Sequence, residues 1–143
     1  MRYHLTKVRP GIYRPFLAVR IFGASSQRIV DGLLDIACDR TLIPLNLAHD
    51  LGILPDKSCP GVKIATASGQ ILGCKLVQIK LGIAGDEPFL CWNAEVAVTL
   101  QRIPKVHLGF KGFLEFFELR YNGPRKTFSL KPGHNLPRVP TPQ

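Results

Sequence analysis

Gly32-Leu33-Leu34-Asp35-Ile36-Ala37-Cys38-Asp39-Arg40-Thr41-Leu42-Ile43-Pro44 runs an apolar pair into a carboxylate, turns on small residues past a second carboxylate, and returns to an apolar run. The pattern predicts a strand that ends at Asp35 and bends sharply. A carboxylate at a bend over a rigid sheet sits where binding and catalytic groups concentrate.

Outward from this stretch the chain reads as mainly β. Before it, residues 13–22 alternate Phe16, Ala18 and Arg20 against Leu17, Val19 and Ile21, which predicts a strand. Residues 23–26 turn the chain, and 27–36 return as the strand that carries Asp35. After the bend, 41–43 form a short strand. Pro44 opens a helix over 45–51, and Gly52 stops it. A loop over 55–61 precedes a hairpin of strands 62–67 and 70–81, with Ser68-Gly69 at the tip. Residues 85–87 turn again, and 88–98 form a strand with Leu90, Trp92, Ala94, Val96 and Val98 on one buried face. Leu108, Phe113, Leu114 and Phe117 fall near helical spacing and predict an amphipathic core helix. A last hairpin covers 117–130, turning at Asn122-Gly123-Pro124. Residues 1–12 read as a basic N-terminal arm. Residues 132–143, with four prolines and no acid, read as a disordered tail.

At 143 residues the chain is one domain, long enough to bury a core. No apolar run reaches membrane-spanning length. The start, Met1-Arg2-Tyr3-His4, leads into charge and proline rather than a signal core, so a cytoplasmic chain is expected. Cys38, Cys59, Cys74 and Cys91 lack short metal or redox spacing, and the four histidines form no i,i+4 pair. Reduced thiols and no metal site are expected. The net charge of +9 is uneven: residues 1–30 and 119–143 hold eleven basic residues and no acid. Nucleic acid is a possible partner of such ends. The basic residues are scattered singly in sequence, which favours solvated surface.

The segment around Asp35 resembles the active-site segment of the retropepsin-like aspartic protease family. That family reads apolar-apolar-Asp-Thr/Ser-Gly-Ala-Asp/Ser and then an apolar strand. Asp35 matches the catalytic Asp, Cys38 the usual Ala, and Asp39 the following acid. Ile36 stands in place of Thr or Ser, and Ala37 in place of Gly. Leu108-Gly109-Phe110-Lys111-Gly112-Phe113-Leu114 resembles the family's second signature, one residue longer. The resemblance spans roughly residues 12–131. It implies a closed β-barrel with one or two short helices over a domain of residues 13–131. It also implies a substrate-covering flap at Thr66, Ala67, Ser68, Gly69 and Gln70. A helix bearing Gly109 and Lys111 would buttress the active-site loop, with Lys111 pairing with Asp39.

The implied chemistry uses two carboxylates that share one proton, one activating water and the other polarising a peptide carbonyl, with no cofactor. The sequence offers one strand-Asp-turn. Asp31, Asp39 and Asp50 make poor second members. An active peptidase would therefore be a homodimer with one Asp35 from each chain, acting on a peptide or protein substrate. Two other readings stay open. One is a catalytically inactive dimerisation or peptide-binding module of the same fold. The other is a nucleic-acid-associated protein that uses its basic ends.

Overall fold

The computed structural model describes residues 1–84 and 89–140. The chain opens with three short strands, β1 (Arg2–His4), β2 (Thr6–Arg9) and β3 (Ile12–Arg14). β4 (Phe16–Phe22) and β5 (Gln27–Leu34) form a hairpin that turns through a Gly23 N–H to Ser26 carbonyl bond of 2.8 Å. β6 (Leu42–Ile43) leads into helix α1 (Leu45–Asp50). β7 (Gly61–Ala65) and the long β8 (Ile71–Ile83) form the next hairpin. β9 (Leu90–Thr99), β10 (Val106–Leu108), β11 (Phe117–Asn122) and β12 (Thr127–Pro132) follow. The turn expected at 85–87 lies outside the described residues.

Six strands close a barrel in the order β4-β5-β10-β6-β9-β8, because β8 pairs with β4 again through Arg20–Gly82, Ile21–Leu81 and Phe22–Lys80. The mainly β class and the closed barrel are therefore as expected. Alternation on β4 and β8 sends Leu17, Val19, Ile21, Ile79 and Leu81 into the barrel core with Trp92, Val96 and Val98. Burying such side chains is the main favourable term in folding, roughly 1.5–3 kcal/mol for each large one fully covered.

β9 is buried on both faces in its second half, where one buried face was expected. Ala97 joins a smaller core with Cys38, Leu42, Ile64, Leu72, Cys74 and Ile103. That second core lies between the Asp35 loop and the stem of the β7–β8 hairpin.

Helix α1 follows the expectation closely. Pro44 caps its start in an extended conformation, and Gly52 ends it at φ +76. The amphipathic helix expected around 108–117 is not formed. Leu108 belongs to a strand, and only Leu114–Phe116 winds one 3-10 turn. Two facts override the helical spacing. Val106 to Leu108 hydrogen-bond between β5 and β6, and Gly112 takes φ +93, which no α-helix tolerates. Phe113 and Phe117 are covered for another reason: they stack at 5.2 Å, and each meets Trp92 edge-on at 5.5 Å.

Both chain ends differ from expectation. The N-terminal residues are not an irregular arm: β1 pairs antiparallel with β12, and Leu5 is buried. The Met1 ammonium donates to the Leu130 carbonyl at 3.2 Å. Of the Pro-rich tail, residues up to 140 dock on the domain. Leu136 is buried, and Val139 N–H donates to the Cys91 carbonyl at 2.9 Å.

Candidate functional site

β5 and β6 are consecutive in sequence but not adjacent in the sheet. β10 lies between them, parallel to β5 in the register Val106–Gly32, His107–Leu33, Leu108–Leu34. The loop from Asp35 to Thr41 must therefore cross over the end of β10. Asp35 N–H closes the crossing by donating to the Leu108 carbonyl at 3.1 Å.

The crossing is stitched by backbone bonds. Phe110 N–H donates to the Cys38 carbonyl at 3.0 Å, Lys111 N–H to Asp39 at 2.9 Å, and Thr41 N–H to Lys111 at 2.9 Å. The buried Thr41 hydroxyl adds a second bond to the Lys111 carbonyl at 2.9 Å. Gly109 makes this approach possible. A Cβ there would overlap the Arg40 carbonyl.

Within the loop, Cys38 N–H donates to the Asp35 carbonyl at 3.1 Å, and Ala37 N–H to Asp35 Oδ1 at 3.1 Å. The Asp side chain thus fixes its own turn, the usual way an Asp stabilises a bend. Its other oxygen, Oδ2, lies 3.1 Å from His107 Nδ1. Both side chains are 22% exposed. Ile36 stands at the tip with 80% of its surface exposed, and Phe110 on the crossing segment is 54% exposed.

Cys38 and Asp39 go opposite ways. Cys38 is buried, its thiol directed at the Arg40 carbonyl at 3.2 Å. Burial pushes its pKa up, partly offset by that bond, and the nearby Asp35 and Asp39 charges push it further. Such a thiol is a poor nucleophile at neutral pH. Asp39 is exposed, and its backbone carries the crossing. The neighbouring Arg40 binds Glu95 at 2.8 Å.

Gly109 and Lys111 do meet the Asp35 loop, but in a segment of turns rather than a helix. The Lys111 ammonium lies 3.8 Å from Glu115, not on Asp39. The hairpin tip forms at the predicted residues. Thr66 N–H donates to the Gln70 carbonyl at 2.9 Å, and Gly69 sits at φ +85. Thr66 and Ser68 hydroxyls meet at 2.9 Å, while Ala67, Ser68, Gly69 and Gln70 are exposed. The stem residues Ile64, Leu72 and Cys74 share the small core with Cys38, so hairpin and loop are packed on one another below the tip.

Asp50, one of the alternative second carboxylates, pairs with Arg28 at 3.5 Å, and Asp31 is exposed on β5. Among the described residues no group of three or more His, Cys, Asp or Glu is placed to hold a metal ion. His107 is the site residue that sequence reasoning missed. Its signal was a polar residue between Val106 and Leu108 just before a glycine, which marks a short buried strand as well as it marks a helix lead-in.

Neither protein-family models nor curated proteins give a match to this chain.

Proposed function

We propose that the domain is retropepsin-like and acts as a homodimeric aspartic-type endopeptidase, with Asp35 of each subunit forming the water-activating dyad. One observation carries this reading. The chain fixes a half-buried carboxylate at the end of a barrel strand and leaves the next side chain, Ile36, 80% exposed at the loop tip. A two-fold contact through the loop tip covers Ile36 and brings two copies of Asp35 face to face. Each Ile36 then recovers roughly 1.5–3 kcal/mol of burial. Two carboxylates about 3 Å apart hold one proton between them. The ionised member takes a proton from water, and the resulting hydroxide attacks the scissile carbonyl. The protonated member donates to the carbonyl oxygen, and the peptide C–N bond breaks as its nitrogen is protonated. The hairpin tip at 66–70 is the element available to cover a bound peptide.

A second reading has its own observation. Both Asp35 oxygens are already engaged inside one subunit, Oδ1 by Ala37 and Oδ2 by His107. A carboxylate held in this way suits a non-catalytic peptide-binding module of the same fold.

Peptide-library cleavage by the natural chain and by Asp35→Asn separates the two. Cleavage that vanishes in Asp35→Asn supports the peptidase. Absence of cleavage in the natural chain and in a folded, dimeric Ile36→Thr/Ala37→Gly chain removes it. Retained peptide binding in Asp35→Asn then supports the module.

A further inference from the structure

The long strand β8 is gapped along one edge. Its other edge pairs with β9 from Cys74 to Ile83 without a break. On the gapped edge β7 pairs as far as Lys75, and Leu76 N–H donates to the Pro60 carbonyl at 2.9 Å. β4 takes over only from Lys80. Between them, residues 77–79 have no strand beside them on that side.

Bonds on either edge fix how the backbone faces this gap. Leu76 N–H points to the β7 side. The Gly73 carbonyl accepts from Leu100 N–H at 2.9 Å, so the odd-numbered residues turn toward β9. In an antiparallel ladder the N–H and C=O of one residue share a side, and the sides alternate. Gln78 therefore directs both its N–H and its C=O into the gap, where no backbone group of the described residues answers them.

The gap opens into a cavity of about 820 Å³. Ile53 and Ile79, both of the barrel core, meet it from within. Phe22 lines one side, and Gln78, Lys80 and Asn93 line the other. Lys80 and Asn93 are directly opposite each other on β8 and β9. Lys80 is the one charged side chain in the lining. Glu95, opposite Gln78, is already held by Arg40 at 2.8 Å.

These features select an occupant. An N–H and C=O pair left open on a sheet edge takes a peptide backbone. The places opposite Leu76 and Lys80 are filled by Pro60 and Phe22, which leaves room for three residues, about 10 Å. A strand cannot run through, so a chain end fits. An ammonium beside a side-chain amide chooses the end that carries a carboxylate.

We propose that this gap binds the C-terminal end of a peptide. The peptide backbone lies on Gln78, an apolar side chain rests on Phe22, Ile53 and Ile79, and the terminal carboxylate meets Lys80 and Asn93. None of the lining residues belongs to the Asp35 loop, and the proposal does not rest on the peptidase reading.

The test uses the full chain carrying Asp35→Asn, so that no peptide is consumed, and a fluorescein-labelled Gly-Ala-Gly-Ala-Leu with a free C-terminal carboxylate. Fluorescence anisotropy should show saturable binding that weakens about tenfold when the carboxylate is amidated. Adding Lys80→Gln should weaken the acid by a similar factor and leave the amide unchanged. Lys63→Gln, an exposed cation on β7, should change neither. Ala24→Trp, at an exposed position on the rim, should abolish binding with an unchanged circular dichroism spectrum. Hydrogen exchange at the Gln78 amide should slow about tenfold at saturation, with Val77 and Ile79 unchanged. Absence of saturable binding at millimolar peptide overturns the proposal, as does equal affinity for acid and amide. Unchanged exchange at Gln78 under saturating peptide places the peptide elsewhere and overturns it too. Equally tight binding of N-acetylleucine, which lacks the rest of the peptide backbone, reduces the gap to a small-carboxylate site and also overturns it.

Discussion

His107 Nδ1 lies 3.1 Å from Asp35 Oδ2, which ties the carboxylate that opens the bend to a strand 72 residues further along the chain. The tie occupies the oxygen that a water or a second carboxylate would need. In an Ile36→Thr/Ala37→Gly chain, adding His107→Leu is expected to raise kcat about tenfold, or ~1.4 kcal/mol of barrier, with little change in KM. The pair itself is checked without activity. In Asp35→Asn, imidazole ¹H–¹⁵N signals should move for His107 and stay in place for the other three histidines. A His107 signal indifferent to Asp35→Asn would remove the tie.

Ile36 offers a direct handle on assembly. If the loop tip is the two-fold contact, Ile36→Lys places two ammonium groups against each other. Sedimentation should show the natural chain as a dimer and Ile36→Lys as a folded monomer with an unchanged circular dichroism spectrum. A natural chain that stays monomeric at high concentration would leave the shared dyad without a second carboxylate.

Gly109 is where the crossing is tightest. Gly109→Ala puts a methyl group into the Arg40 and Cys38 carbonyls, and both are backbone, so neither can turn aside. The expected cost is about 3 kcal/mol, read as a shift in the urea midpoint. Gly123→Ala, whose added methyl would meet only the Tyr121 ring at 3.6 Å, should move the midpoint little.

Trp92 is fully buried, and its Nε1–H donates to the Gly112 carbonyl at 2.9 Å. Trp92→Phe keeps a ring in the cluster but leaves that carbonyl unpaired. A loss of about 1–3 kcal/mol is expected by urea unfolding.

Cys74 carries a pH signature. Burial, helped by the nearby Cys38 charge, pushes its thiol from the ordinary 9.0 up to about 11. The folded state therefore holds this proton longer than the unfolded chain does. Its contribution is fully present below about pH 9 and is lost as pH rises through about 11, roughly 2–3 kcal/mol in all. The natural chain should lose more stability across that window than Cys74→Ala, compared by urea midpoints at each pH.

Hairpins and the short helix were legible because their signals are local. Gly69 marks the β7–β8 tip, Pro44 and Gly52 bracket α1, and alternation through Leu17, Val19 and Ile21 marks β4. The Asp35 bend was legible for the same reason. What failed depended on distant partners. β1 is exposed along most of its length and is a strand only because β12 pairs with it. Residues near 136 dock through one buried leucine, too little to register as pattern. β10 has three residues, and the spacing of Leu108, Phe113 and Phe117 fits a helix as well as it fits an aromatic cluster. Missing β10 also hid His107, since only the β5–β10 register sets its side chain against Asp35.

The strand threaded between β5 and β6 also gives the site an order of assembly. Asp35, its loop and the first barrel hairpin all precede residue 45, yet the backbone bonds that anchor that loop through Leu108, Phe110 and Lys111 wait for residues 106–111. Contacts so far apart in sequence form slowly, because a long segment must be closed before they repay it. A chain still emerging from the ribosome, or one cut before residue 106, holds its carboxylate on an unanchored loop. The site proposed at Asp35 is complete only once the domain is nearly whole.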